Sequence, residues 1–586
     1  MLKIFKYINR KQWLYISASI LFIVSQVWLD LKLPDYMSAI TTLVQTDGSA
    51  MSDILTQGGY MLLCALGSGV FSVIVGFFAA KVAAGLAKTL RGCIYDKTID
   101  FSLEEIDRFS TASLINRTTN DITQIQNVVA MGLQAVVKAP IMAVWAIYKI
   151  AGKNWEWTAV TAVAVFILMI VLAITLIFAL PRFKKIQGLT DNLNRVTREQ
   201  LTGIRVVRAY NAEQYQENKF AVANDEVTKT NMTANRVMAL MSPTMTLISS
   251  GLTLAVYWIG AYLIDAVAQG EKLAVFSDMV VFSNYAVQVI QAFMLLNLIF
   301  ILLPRAQVSA NRICEVLDTK NSILDGHKKL AKDQHGTVEF QDVSFRYPGA
   351  AADALSHISF SARQGETVAL IGAIGSGKTT MINLIPRFYD VTGGKVLVDG
   401  EDVRDYTQEE LRNRIGYVSQ KAVLFSGTVT SNIAFGENGK SEISEKDVRE
   451  AVSIAQAAEF VEKMEDTYGA VIAQSGTNVS GGQKQRLSIA RAVARKPEII
   501  IFDDSFSALD YKTDRTLRTV LHQKTKNTTK LIVAQRISTI RDADLILVLD
   551  HGRIVGRGTH KELLKSCPEY LEIAHSQLSK EEIENG

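Results

Sequence analysis

The sequence predicts an α-helical membrane domain of six spans, fused to an α/β domain built on a parallel sheet. Three observations carry that expectation. Six apolar stretches, each about 20 residues or longer and so able to cross a bilayer, fall in the first half of the chain. Past Arg305 the composition turns to mixed soluble sequence. Within that second half, short apolar runs end in loops bearing glycine or aspartate, the pattern of strands buried on both faces of a sheet.

At 586 residues the chain is longer than one ordinary domain. Apolar residues make up 48% of it, which favours long buried spans over a pair of soluble domains. Basic and acidic residues nearly cancel, 62 against 58, so the charge gives no reason to expect nucleic acid as a partner. Cys64, Cys93, Cys314 and Cys567 lie far apart, with neither paired nor metal-ligand spacing, which argues against a disulfide framework or a zinc site.

The spans run near Trp13–Leu33, Gly58–Ala80, Val128–Ile150, Thr158–Leu180, Val237–Ile264 and Val280–Leu303. The second, fourth, fifth and sixth hold no charged residue, whereas a buried soluble helix of that length keeps a polar stripe. Residues 1–12, basic and apolar by turns and without a small-residue cleavage site, read as an interfacial elbow helix. Lysine and arginine crowd before the first span, after the second and after the fourth, while 41–57 has none. That asymmetry places both termini in the cytoplasm, with Lys149 and Lys153 as a small exception on the third outer turn. The two inner connections are long and helical in pattern, so the spans are expected to continue well past the bilayer. The membrane domain then covers 13–317, a charged linker 318–335, and the α/β domain 336–586.

The α/β domain begins with β-rich TVEFQDVSFRY. It continues in an apolar strand, a glycine loop and helix-forming sequence. Gly372 to Thr379 fits G-x-x-x-x-G-K-[ST], a phosphate-binding loop. Gly372, Ile374, Gly375, Ser376 and Gly377 would turn backbone amides towards phosphates, with Thr380 next in the helix. Lys378 would reach the β and γ groups and Thr379 would hold Mg²⁺. The run Ile499–Phe502 ends in Asp503 and Asp504, carboxylates at a strand's carboxyl end, where such sheets bind ligands. Asp503 suits the metal, and Asp504 the attacking water.

Between these motifs stands VSGGQKQR, whose Ser480, Gly481, Gly482 and Gln483 resemble the ABC signature. Gly481 and Gly482 expose amides at a helix start, an arrangement suited to a γ-phosphate. With six spans placed first, almost the whole chain resembles ABC exporters of the type-IV, domain-swapped fold. The resemblance implies roles for further residues. Tyr347 matches the aromatic that stacks on adenine, Gln420 the Q-loop glutamine that also reaches the metal, and Ser507 and Asp510 the D-loop. Gln535 stands where the family has its switch histidine. In that family the signature of one subunit faces the phosphate loop of the other, so ATP and Mg²⁺ are sandwiched at a dimer interface.

Two departures from the family pattern carry information. Asp504 replaces the usual glutamate, which draws the carboxylate back by one methylene. Gln535 can hydrogen-bond a γ-phosphate but cannot carry a proton or positive charge. The combination resembles the degenerate-site subunit of a heterodimeric bacterial multidrug exporter. The expected partner is a homologous half with the complete glutamate and histidine, to which this chain lends an intact signature. Short helices that press on the nucleotide domains are expected at Arg108–Asn116 and Ala209–Asn218, the second on the partner's domain.

The substrate path is less marked. Asn284, Gln288, Gln291 and Asn297 recur at helical spacing in the sixth span, where they either line a cavity or bond between helices. Lys138, beside Pro140, is either functional or an anchor that snorkels or pairs with an acid of the partner. Asp30, Lys32 and Asp35 are expected near the outer end of the first span. The expected activity is ATP-driven export of small amphipathic compounds across the cytoplasmic membrane. Lipid or peptide transport, siderophore import and an ATP-gated channel or sensor subunit are the alternatives.

Overall fold

The computed structural model describes every residue except 1, 47, 152–153, 269–270, 329–334, 440–441, 580–582 and 584–586. Lys153 and 329–334 of the expected linker lie outside the described residues, as does the side chain of Asn297. The chain folds as two compact units: Met1–Ile99 with Thr111–Thr319, and Asp100–Ser110 with Lys320–Gly586.

After a 3₁₀ turn at Leu2–Tyr7 come α1 (Arg10–Gln45), α2 (Met51–Ile99), α3 (Leu103–Phe109), α4 (Thr111–Asn116) and α5 (Ile122–Ala151). Then follow α6 (Trp155–Thr202), α7 (Ile204–Ala209), α8 (Glu213–Ala239), α9 (Met241–Ala266) and α10 (Lys272–Asp318). Among the described residues, six helical segments are long and apolar enough to cross a membrane. The elbow differs from its expected extent. Asn9 caps α1 and its N–H donates to the Gln12 side chain at 2.9 Å, so the first long helix starts at Arg10, inside 1–12.

α2 and α6 contain 49 and 48 residues. At about 1.5 Å per residue each is roughly 70 Å long, more than twice a ~30 Å hydrocarbon core, so each must extend beyond a bilayer. α1, α2, α5 and α10 pack together around Val27, Leu31, Ala139 and Tyr285, while α6 packs along α8 and α9. Trp157 and Phe282, their rings 5.4 Å apart, close that core. Between α4 and α5 the helix widens into a π turn at Arg117–Asp121. The Asp121 carboxylate accepts from Ser309 Oγ at 2.8 Å, and Arg117 donates to the Arg312 carbonyl and to Glu315 at 2.7 Å, tying the turn to α10.

The second unit carries β1 (Val338–Phe345), β2 (Leu355–Ala362), β3 (Thr367–Gly372), α11 (Lys378–Leu384), β4 (Gly393–Val398), β5 (Glu401–Asp402) and β6 (Ile415–Val418). Later strands are β7 (Gly427–Thr428), β8 (Val471–Ile472), β9 (Ile499–Asp503), β10 (Thr529–Val533), β11 (Leu545–Asp550) and β12 (Arg553–Gly558). Six strands form the main sheet in the order β12-β11-β3-β10-β9-β6, parallel except for β12. A second, antiparallel sheet runs β2-β1-β4-β5. Every residue of β9 is buried. Ile500 and Phe502 enter one core and Ile499 and Ile501 the other, as an apolar run between two layers requires.

Candidate functional site

The carboxyl ends of β3 and β9 bring the phosphate loop and the paired aspartates together. Gly377, at φ 98°, caps α11; a Cβ there would lie 2.7 Å from Leu355 Cδ2, so both conformation and space demand glycine. Lys378 is buried, and its ammonium donates to the Gly372 and Ala373 carbonyls at 3.0 and 2.7 Å and to Ser376 Oγ at 3.1 Å. The loop thus holds its own cation over the amide cradle. Gly375 sits at φ 83°, and Ile374 beside it is 94% exposed at the tip. Thr379 Oγ1 donates to Asp503 at 3.0 Å, and Thr380 Oγ1 meets the Tyr347 hydroxyl at 3.0 Å.

Asp504 is where the two departures meet. Its carboxylate accepts from Gln535 Nε2 at 2.9 Å and from Gln420 Nε2 at 3.5 Å on the same oxygen. Its backbone stands at φ 44°, and its N–H donates to the Val533 carbonyl at 3.0 Å. Ser507 Oγ donates to the Asp504 carbonyl at 2.9 Å, and Asp510 caps the helix Tyr511–Lys524 through the Thr513 amide. Burial pushes the Asp503 and Asp504 carboxyls above the usual range and the Lys378 ammonium below its own, with each neighbouring opposite charge working against the shift.

Ser480 caps the helix Gly481–Ala494. Its hydroxyl accepts from the Gln483 amide at 3.4 Å, while the Gln483 side chain accepts from the Ser480 amide at 2.8 Å. A Cβ on Gly482 would lie 3.2 Å from the Ala508 carbonyl, whereas one on Gly481 would meet nothing within 4 Å. Packing inside this chain therefore asks for glycine at only one of the two positions.

Residues 16–293 match the ABC transporter transmembrane region, and 355–507 match the ABC transporter family. A Mycobacterium tuberculosis protein named an uncharacterised ABC transporter ATP-binding protein is 39% identical over 92% of this chain and 93% of its own. This chain belongs to the ABC exporters. An ATP-dependent lipid A-core flippase of Pseudomonas aeruginosa is 32% identical over 88% of this chain and 83% of its own length. A solved bacterial Atm1-family ABC exporter with ATP bound superposes with a TM-score of 0.81 at 26% identity, covering 97% of this chain and 98% of that one. The chain is therefore an ATP-hydrolysing, multi-pass exporter half.

In this exporter half, the connection between α2 and α5 carries short helices. Two short helices fall here: α4, Thr111–Asn116, lies within the expected Arg108–Asn116, and α3, Leu103–Phe109, precedes it, started by the capping box of Ser102 and Glu105. Glu105 also accepts from the Ser322 amide at 2.9 Å, and Leu103 packs on the nucleotide-domain core. Tyr389 donates to Asp107 at 3.3 Å and stands edge-on to Tyr347, their rings 5.4 Å apart. Sequence reasoning missed Tyr389, Asp107 and Glu105; only the S-x-x-E spacing of 102–105 was there to find. In the second connection, α7 (Ile204–Ala209) reaches the start of the expected Ala209–Asn218 and α8 begins within it at Glu213.

Lys138 pairs with Asp30 of α1 in the same chain, at 3.1 Å, in place of an acid of the partner. Asp30 also accepts from Ser68 of α2, and Gln288 Nε2 donates to the Asp30 carbonyl at 3.4 Å, joining four helices. Asp30 is thus part of a polar contact inside the bundle. Asp35 accepts from Tyr285 at 2.6 Å and pairs with Lys149 at 2.9 Å. Asn284 donates to the Val280 carbonyl of its own helix at 2.9 Å, and Gln291 is exposed.

Proposed function

We propose that this chain exports amphipathic compounds across the cytoplasmic membrane as half of a heterodimer, with both termini cytoplasmic and its own ATP site slow. The observation that carries the reading is the Asp504 carboxylate: Gln535 and Gln420 both donate to one of its oxygens. A carboxylate so engaged, shorter than glutamate and beside an amide that cannot take up a proton, is a poor base for the attacking water. Thr379 and Asp503, already in contact, and the Gln420 carbonyl oxygen are the hard oxygen donors that would hold Mg²⁺. Bound there, the ion would neutralise charge between the β- and γ-phosphates. Lys378 would turn from the loop carbonyls to phosphate oxygens, and Tyr347 would stack on adenine.

The open space at Gly481 supports a fast site completed in trans, since among the described residues nothing stands within 4 Å of a Cβ there and a phosphate could approach the amide. The decisive experiment compares ATP turnover of the chain alone with that of the chain assembled with a homologous half bearing glutamate and histidine. Turnover and stimulation by amphipathic compounds should require the second half. Equal, substrate-stimulated turnover by a homodimer of this chain would sink the proposal.

Lipid export is the second reading, favoured by the relatives named lipid A-core flippases. Stimulation of turnover by lipid alone, with none by drug-like amphiphiles, would select it.

A further inference from the structure

We propose that the groove between the 3₁₀ turn, α1, α5 and α10 holds one acyl chain of an anionic membrane lipid. It has a volume of about 340 Å³, and its described lining residues are apolar, among them Phe5, Trp13, Ile20, Met131 and Leu303. With a water-sized group taking about 30 Å³, that space suits a chain segment of around ten methylenes. Trp13 and Met131 remain 51% and 53% exposed, so the walls do not close on each other.

The floor is open as well. A Cβ on Gly132 would meet only Val128 Cγ1 at 3.8 Å and Val136 Cγ2 at 4.0 Å, both of its own helix. Among the described residues, no other element comes within 4 Å of that position. A slot left empty would forfeit the dispersion contacts of its whole lining, and lipid chains are the solvent that surrounds it.

The head-group preference follows from charge. Trp13, Ile16 and Ile20 are three and four residues apart and share one face of α1, and Arg10, three residues before Trp13, continues that face beyond the apolar wall. Arg10, Lys6 and Lys11 are all exposed, and the sequence holds no acidic residue before Asp30. An apolar slot beside the exposed cations Lys6, Arg10 and Lys11 matches a lipid with an apolar chain and an anionic head.

The test uses the full chain in vesicles of phosphatidylcholine carrying brominated phosphatidylglycerol or brominated phosphatidylcholine at equal fraction. Bromine in the acyl chain quenches tryptophan on contact, and the Trp13→Phe variant isolates the Trp13 signal. Trp13 should be quenched preferentially by the phosphatidylglycerol probe. Arg10→Gln and Lys11→Gln should each weaken that preference about fivefold, the effect of one cation at a lipid surface. Gly132→Phe should fill the slot and abolish the preferential component, with Gly132→Leu as the milder variant if the first does not insert. Equal quenching by both probes, unmoved by the Gly132 variants, would mean ordinary lipid contact and overturn the proposal. So would Trp13 shielded from both probes with an assembly that dissociates on filling, since the groove would then belong to an interface between chains.

Discussion

Asp504 concentrates the chemistry of this exporter half into one carboxylate. On the proposed reading it serves the slower of two sites, so Asp504→Asn should lower steady-state turnover of the assembled transporter only modestly. Gly481→Asp should remove most of it by blocking the amides offered to the partner's nucleotide. Turnover at saturating ATP, with folding checked separately, decides between them; the reverse ranking would show the two sites assigned the wrong way round. The same reading expects Asp504→Glu with Gln535→His to speed turnover at this chain's own site by up to about 10²-fold, the scale attached to a displaced catalytic group. Single-turnover measurement on that site would read it. Asp503 and Asp504 also carry a pH signature. Their folded pKa values lie above the ordinary 3.8, so between the unfolded and folded values the folded state binds more protons. Stability of the nucleotide-free protein should therefore fall as pH rises through the folded values. Asp503→Asn should flatten that slope in thermal unfolding and remove the stabilisation by Mg·ATP.

At the scale of elements, α3 is the informative helix. It is short, yet it is held by the Ser102–Glu105 capping box, by Glu105 on the Ser322 amide and by Tyr389 on Asp107. Tyr389 is itself packed against Tyr347, so the aromatic assigned to adenine and the helix tip share one neighbour. Burial and the Asp107 carboxylate push the Tyr389 phenol up to about 12, so it stays a hydrogen-bond donor across the working pH range. Glu105→Ala loses a cap worth about 1 kcal/mol and loosens α3. Transport per ATP should drop more than ATP turnover does, as measured by both rates in the same vesicles. Proportional loss of both would mean that the cap only supports folding.

The whole membrane domain depends on polar contacts made in an apolar setting. Asp30 and Lys138 tie α1 to α5, with Ser68 and Gln288 bringing in α2 and α10. Removing one member of such a pair leaves an uncompensated charge and costs about 3 kcal/mol or more. Lys138→Ala should lower thermal stability and expression without changing the relative substrate profile, and Asp30→Asn added to it should recover much of the loss. A changed profile at normal stability would return Lys138 to the substrate path.

Much of this was legible from residues alone, because its causes are local. Apolar length decided the six spans, and the all-buried run before Asp503 decided a central strand. The spacing of Gly372–Thr379 marked the phosphate loop, since glycines, a lysine and a hydroxyl at those intervals, between a strand and a helix, suit a backbone that cradles phosphate. The identities of Asp504 and Gln535 likewise marked where this chain leaves its family. Pairing across distance was not legible. That Lys138 meets Asp30, more than a hundred positions away, that both glutamines converge on one oxygen of Asp504, and that Asp107 meets Tyr389 all depend on which helix faces and strand ends the packing turns together. Hydropathy and spacing report the period of an element and its burial, whereas a hydrogen bond between distant elements is chosen by the angle and register at which their packed cores close.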